Sequence, residues 1–182
     1  MSPRHLIFAL LIAGTLTACG DSSMSDFSST SIANGAIVVR HGKVTLRAAG
    51  APDAVISAEG NLKIDGTPVS TSAPQRDTLR QYYVAATAVR EHGIAAGKAG
   101  VALAGESIKG ALANVVSTDG GKVDDKAGAG SEKVNQEVMK ICQDLADIKA
   151  AQDELASQLS AFKPYAGIIN ARTSEKCRKN DA

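Results

Sequence analysis

The strongest constraint on the fold is a seam near the C-terminal end of the chain. Val134, Val138, Ile141, Leu145, Ile148, Gln152, Leu155, Leu159 and Phe162 follow one another in alternating steps of four and three. That heptad spacing predicts one long amphipathic helix over 131–163, with its apolar edge lying along another helix. Ser131 is a suitable N-cap, and Pro164 ends the run. Gln152 is the single polar residue on the edge. Lys133/Glu137, Lys140/Asp144 and Lys149/Asp153 stand one turn apart and read as solvated ion pairs.

A partner for that seam lies in the segment before it. Ile94, Val101, Ile108 and Val115 recur every seven residues, and so do Gly97, Ala104 and Ala111. Gly93, Gly97, Gly100, Gly105 and Gly110 each weaken an exposed helix by up to about 1 kcal/mol relative to Ala. Rows of small residues, however, let another backbone come close. The expected arrangement is an antiparallel hairpin in which Leu145, Ile148 and Leu155 sit over Gly97, Ala104 and Ala111. The other reading is a small-residue face on 94–117 that meets a membrane, a second copy or an envelope protein. Lys98, Glu106 and Lys109 interrupt the segment, so it is not expected to span a bilayer. The helical region is expected over 71–118, followed by a glycine-heavy linker at 119–130.

Upstream, residues 36–70 carry short β-type runs separated by turn pairs. Ile37–Arg40 and Lys43–Leu46 flank His41-Gly42. Val55–Ser57, Asn61–Ile64 and Thr67–Ser70 are separated by Glu59-Gly60 and Asp65-Gly66. Pro68 is expected on an edge. Ser72-Ala73-Pro74-Gln75 matches a capping box, with Pro in the first turn. Leu79, Tyr82, Tyr83, Ala86 and Val89 follow at helical spacing, and the two tyrosines read as core rather than as a ligand platform. The expectation is an α+β fold, a small N-terminal antiparallel β-meander packed on a C-terminal helical region with long antiparallel helices.

Composition and motifs narrow the function. Aromatic residues make up 3% of the chain and there is no Trp, against 44% hydrophobic residues, so the core is aliphatic and alanine-rich. Outside residues 1–18 there are 19 basic and 19 acidic residues, which gives no support for nucleic-acid binding. Gly93–Ala99 lacks a spacer and the Ser/Thr of a phosphate-binding loop. Ser160-Ala161-Phe162-Lys163 matches Ser-x-x-Lys without its companion motifs. His41 falls in an expected turn, and Asp124-Asp125 falls in the expected linker, a poor place to hold catalytic geometry. His41 and His92, the histidines outside the N-terminal segment, are not at ligand spacing from a Cys. No catalytic, cofactor or metal residue is expected, and the chain reads as a non-enzyme.

The N-terminal segment gives an address. Arg4-His5 precedes the apolar run Leu6–Ala13, which is too short for a transmembrane helix of about 20 residues, and Leu16-Thr17-Ala18-Cys19 closes it. Leu16–Cys19 resembles the bacterial lipobox. That resemblance implies a lipoprotein signal peptide at 1–18 and a fatty-acylated Cys19, leaving 164 of the 182 residues. Gly20, rather than Asp, after the Cys implies the outer membrane, facing the periplasm. Residues 19–35 are rich in Ser and Asp and read as a flexible tether. With Cys19 lipidated, Cys142 and Cys177 remain as a pair in an oxidising compartment and are expected to form a disulfide, tying the tail 164–182 to the heptad helix.

Asn61–Val69, Arg80-Gln81-Tyr82-Tyr83 and Ile141-Cys142-Gln143, taken in this order over about residues 36–165, resemble the YggN-like family of bacterial periplasmic proteins of unknown function. The resemblance implies no substrate, cofactor or catalytic residue. The functional expectation is a membrane-anchored envelope lipoprotein acting as a structural or adaptor module. The alternative is a carrier of an apolar ligand such as a lipid, held between strands and helices.

Overall fold

The computed structural model describes residues 29–116 and 124–170, with side chains over 29–102, at 104 and over 130–170. Six short strands form one antiparallel sheet in sequence order: β1 Ser29–Ile32, β2 Ile37–Arg40, β3 Lys43–Leu46, β4 Ala54–Ser57, β5 Leu62–Ile64 and β6 Thr67–Pro68. The helices α1, Ala73–Val116, and α2, Asp124–Gln158, follow, then a 3-10 helix at Ser160–Tyr165. This is the expected α+β arrangement of a meander packed on long antiparallel helices.

Turn chemistry sets the meander. His41 and Gly42 both take positive φ, 49° and 67°, as do Asp65 and Gly66, at 50° and 74°. Two consecutive left-handed residues match the right-handed twist of flanking strands, which makes such pairs good hairpin turns. Pro68 lies in β6, the last strand of the sheet, where its missing N–H costs no internal ladder bond. Alternation then places Ile32, Ile37, Val39, Val44, Leu46, Ala54, Ile56 and Leu62 on one buried face.

The sheet begins earlier than the sequence suggests. Ser29–Ile32, inside the stretch read as a tether to residue 35, pairs with β2 from Ser29↔Arg40 to Ile32↔Ile37. Polar Ser and Thr hide the strand from a hydrophobicity reading, but a ladder and one buried Ile32 suffice to hold it. The expected linker is shorter too. α2 starts at Asp124, not at Ser131, and Asp124-Asp125 opens it, where acidic residues favour a helix N-terminus.

The capping box forms as expected. Ser72 N donates to Gln75 Oε1 at 2.9 Å, and Gln75 N donates to Ser72 Oγ at 3.4 Å. Gln75 Nε2 also donates to Gln158 O at 2.9 Å, joining the start of α1 to the end of α2. α1 buries a wider stripe than its apolar residues mark, because it faces both the sheet and α2. Thr78 is buried and donates its hydroxyl to Pro74 O at 3.2 Å, and Ala85 is buried beside Leu79, Tyr82, Ala86 and Val89.

The helices are antiparallel, but in a different register from the expected one. Gln75 lies beside Gln158, and His92 lies beside Glu137 and Asp144. Leu145, Ile148 and Leu155 therefore stand opposite the Thr78–Ala88 stretch, not over Gly97 and Ala104. Gly97 and Ala104 are exposed, and nothing stands within 4 Å of a Cβ placed on Gly97; the side chain of Ala111 lies outside the described residues. The small residues of that α1 stretch are Ala85, Ala86 and Ala88.

α2 stops at Gln158 rather than running to Lys163. Beyond Gln158 no facing helix remains, because α1 starts at Ala73. Leu159 turns extended, at φ −128° and ψ 102°, and the 3-10 helix folds Phe162 and Tyr165 back into the core. Phe162 meets Tyr82 edge-on, with ring centroids 6.1 Å apart, and Tyr165 at 5.6 Å. Tyr165 OH donates to Pro52 O at 2.6 Å, locking this corner onto the sheet. The chain after Pro164 is thus not all tail, since Tyr165 and Ile169 are buried. The space between sheet and helices is filled by Leu79, Tyr82, Leu155 and Phe162, all with zero exposure.

Candidate functional site

Two regions combine exposure with chemistry. The first is the outer half of the helical hairpin. Among the described side chains of residues 90–102, 104 and 130–147 none is fully buried. Val101 is 74% exposed, Met139 56% and Val138 46%. These are large apolar groups on an otherwise polar or small-residue surface. No helix among the described residues is long and apolar enough to cross a membrane.

A polar cluster marks the base of that arm. His92 on α1 points between two carboxylates of α2. Its Nδ1 lies 2.8 Å from Glu137 Oε2, and its Nε2 lies 3.7 Å from Asp144 Oδ2. Glu137 and Asp144 are one heptad apart, hence on one face of α2. Lys140 Nζ donates to Glu137 Oε1 at 2.8 Å. The hydrogen bonds from Lys140 and His92 hold the Glu137 carboxyl below its ordinary range. Burial pushes Asp144 the other way, only partly opposed by the charge of His92. Both ring nitrogens of His92 are thus directed at carboxylates, and the cluster reads as an interhelical clasp. Of the three expected i,i+4 pairs, Lys149–Asp153 forms. Lys140 turns back to Glu137, and Asp144 turns to His92. Sequence spacing shows which residues share a turn, but not which of them a second helix will claim. Among the described residues, no group of three His, Cys, Asp or Glu is arranged to hold a metal ion.

The second region lies between the β2–β3 turn and α1. There Val39, Arg40, His41, Gly42, Tyr83, Thr87 and Arg90 line a half-open cavity of about 360 Å³. Tyr83 is half-buried, and its hydroxyl donates to Gly42 O at 3.2 Å, pinning the turn to the helix. Tyr82, by contrast, is wholly core, and burial drives its phenol pKa well above the ordinary value. The expected reading of the tyrosines as core holds for Tyr82, and Tyr83, half-buried against the same core, also clamps the turn. An open groove of about 740 Å³ lies between α1 and α2, floored by Ala85, Ala88, Ala150 and Ala151 and rimmed by Asp77, Asp144, Asp147 and Glu154.

Of the residues singled out in the sequence, Cys142 is half-buried on α2 next to the seam. Cys19 and Cys177 lie outside the described residues, as do Ile108, Ala111 and Val115 for their side chains. His41 sits in its turn, as expected. Ser160 and Lys163 lie in the 3-10 helix, Ser160 exposed at its start. No family model matches the chain, and neither the curated proteins nor the solved structures compared with it include a match.

Proposed function

We propose that this chain is a non-enzymatic lipoprotein of the bacterial envelope. In this reading it is anchored through acylated Cys19 at the periplasmic face of the outer membrane and presents its helical arm to a protein partner as an adaptor. The observation that carries the adaptor role is the exposure of Val101, Val138 and Met139 on a stretch of the two helices where none of the described side chains is buried. Apolar residues clustered on an otherwise polar surface favour interaction sites. The lipobox-like Leu16–Cys19 carries the anchor, and the YggN-like motifs fit a periplasmic setting. The filled core supports an adaptor over a carrier of apolar ligand, which needs space between sheet and helices.

The anchor is tested by growth with a labelled fatty acid. Label enters the wild-type chain and is absent from Cys19→Ser; a wild-type chain released into the periplasm with an unmodified thiol overturns it. The adaptor role is tested by photo-crosslinking in cells from Val101 and Val138, with the Asp65 turn as control. Discrete adducts from the arm alone support it, and equal capture from all three positions overturns it. The Cys142–Cys177 pairing belongs to the same reading. Non-reducing peptide mass spectrometry of protein taken from the periplasm finds the linked peptides, and two free thiols sink the pairing.

A further inference from the structure

We infer that the cavity between the β2–β3 turn and α1 is a phosphate site, and that the phosphate it meets belongs to an anionic phospholipid headgroup. Arg40, His41 and Arg90 line it, and among the described residues its wall holds no carboxylate. Lys43 stands directly opposite Arg40 in the β2–β3 register and adds a further positive charge at the same end of the sheet. Outside residues 1–18 the chain has equal numbers of acidic and basic residues, so this concentration is local and not a share of a generally basic surface. Guanidinium groups present forked donors that match phosphate oxygens.

One feature makes the place a site rather than a patch. The Tyr83–Gly42 hydrogen bond holds the turn against the helix, so the walls stand before any ligand arrives. Thr87 also lines the cavity.

The source of the phosphate follows from where the chain enters the sheet, and here the inference rests on the lipid-anchor reading. β1 starts at Ser29, which pairs with Arg40. Cys19 to Ser28 is ten residues, with a reach of at most about 35 Å. An acylated Cys19 therefore tethers the protein by the end of the sheet that carries Arg40, His41 and Lys43. Basic side chains near an anionic bilayer surface are attracted within about a Debye length.

The test uses the full chain isolated from the membrane fraction and placed in nanodiscs of phosphatidylcholine alone, or with about one part in four phosphatidylglycerol. Amide hydrogen exchange over 39–44 and 83–90 is expected to slow about fivefold in the anionic discs only. Arg40→Gln with Lys43→Gln is expected to abolish the difference, and Arg47→Gln, away from the cavity, to leave it. Equal exchange in both discs, or an unchanged difference in the double variant, overturns the site. Full protection in phosphatidylcholine discs on adding inorganic phosphate alone overturns the headgroup as its source. The intact mass of the same sample reads the anchor separately. A chain without acyl groups overturns the anchor, and with it the headgroup argument. A response of that chain to inorganic phosphate still supports the phosphate site.

Discussion

Gln152 holds Ile169 by both of its main-chain groups. Ile169 N donates to Gln152 Oε1 at 2.9 Å, and Gln152 Nε2 donates to Ile169 O at 2.9 Å and to Ala166 O at 2.5 Å. The one polar residue on the heptad edge is therefore the anchor for the chain that folds back after α2. Buried main-chain groups left without partners each cost about 1–3 kcal/mol. Gln152→Leu, which restores the heptad pattern, should destabilise by about 2 kcal/mol or more. Chemical unfolding measures the loss, and faster exchange at the Ile169 amide locates it.

Gly60 and Gly97 should respond in opposite ways to Ala. Gly60 has φ +77°, and a Cβ there runs into the Arg76 carbonyl oxygen and lies 2.9 Å from the Cγ atoms of Arg76 and Arg80. Gly60→Ala should cost at least about 2 kcal/mol. Gly97 is helical, exposed and open, so Gly97→Ala should stabilise by about 0.5–1 kcal/mol. Thermal unfolding of the two variants beside the wild type checks both signs.

The observed register makes a parallel contrast between two alanines. Ala86 has zero exposure in the core, and Ala86→Leu should overpack it by about 1–3 kcal/mol. Ala104 is exposed, so Ala104→Leu should stay within about 0.5 kcal/mol of wild type. A large loss at Ala104 measured on monomeric protein would restore the register that the sequence suggested.

Glu137 and Asp144 should give the arm opposing pH dependences. Glu137, with its pKa depressed below 4.5 by Lys140 and His92, contributes stability that is present above 4.5 and lost as pH falls through its lower folded value. Asp144, raised above 3.8 mainly by burial, contributes stability that is present below 3.8 and lost as pH rises through its folded value. At pH 7, Glu137→Gln should therefore lower the melting temperature and Asp144→Asn raise it. Both differences from wild type should shrink as the pH is brought down through these ranges. Melting curves from pH 7 to pH 3 decide the matter; two shifts of the same sign at pH 7 contradict it.

What could be read in advance follows from the range of each interaction. The His41-Gly42 and Asp65-Gly66 turns and the Ser72–Gln75 box are local patterns, and each appears where its residues predict; the heptad edge forms only in part, since Val138 is exposed and α2 ends before Leu159. The helix register, the His92 clasp and the cavity beside Tyr83 depend on which faces meet across the fold, and spacing along one helix carries no such information. β1 was missed for a different reason. Ser29-Thr30-Ser31 has the composition of a tether, and only pairing with β2 makes it a strand.

The sheet order has a kinetic consequence. Every strand pairs with its sequence neighbour, so the meander can grow by successive hairpins without first closing a long loop. The α1–α2 pair is likewise a contact between consecutive elements. The Tyr165–Pro52 hydrogen bond is different, joining residues 113 positions apart. It can form only after the chain has reversed beyond α2, so it belongs to the final closure of the fold. Substitutions at Tyr165 should therefore speed unfolding while leaving the folding rate nearly untouched.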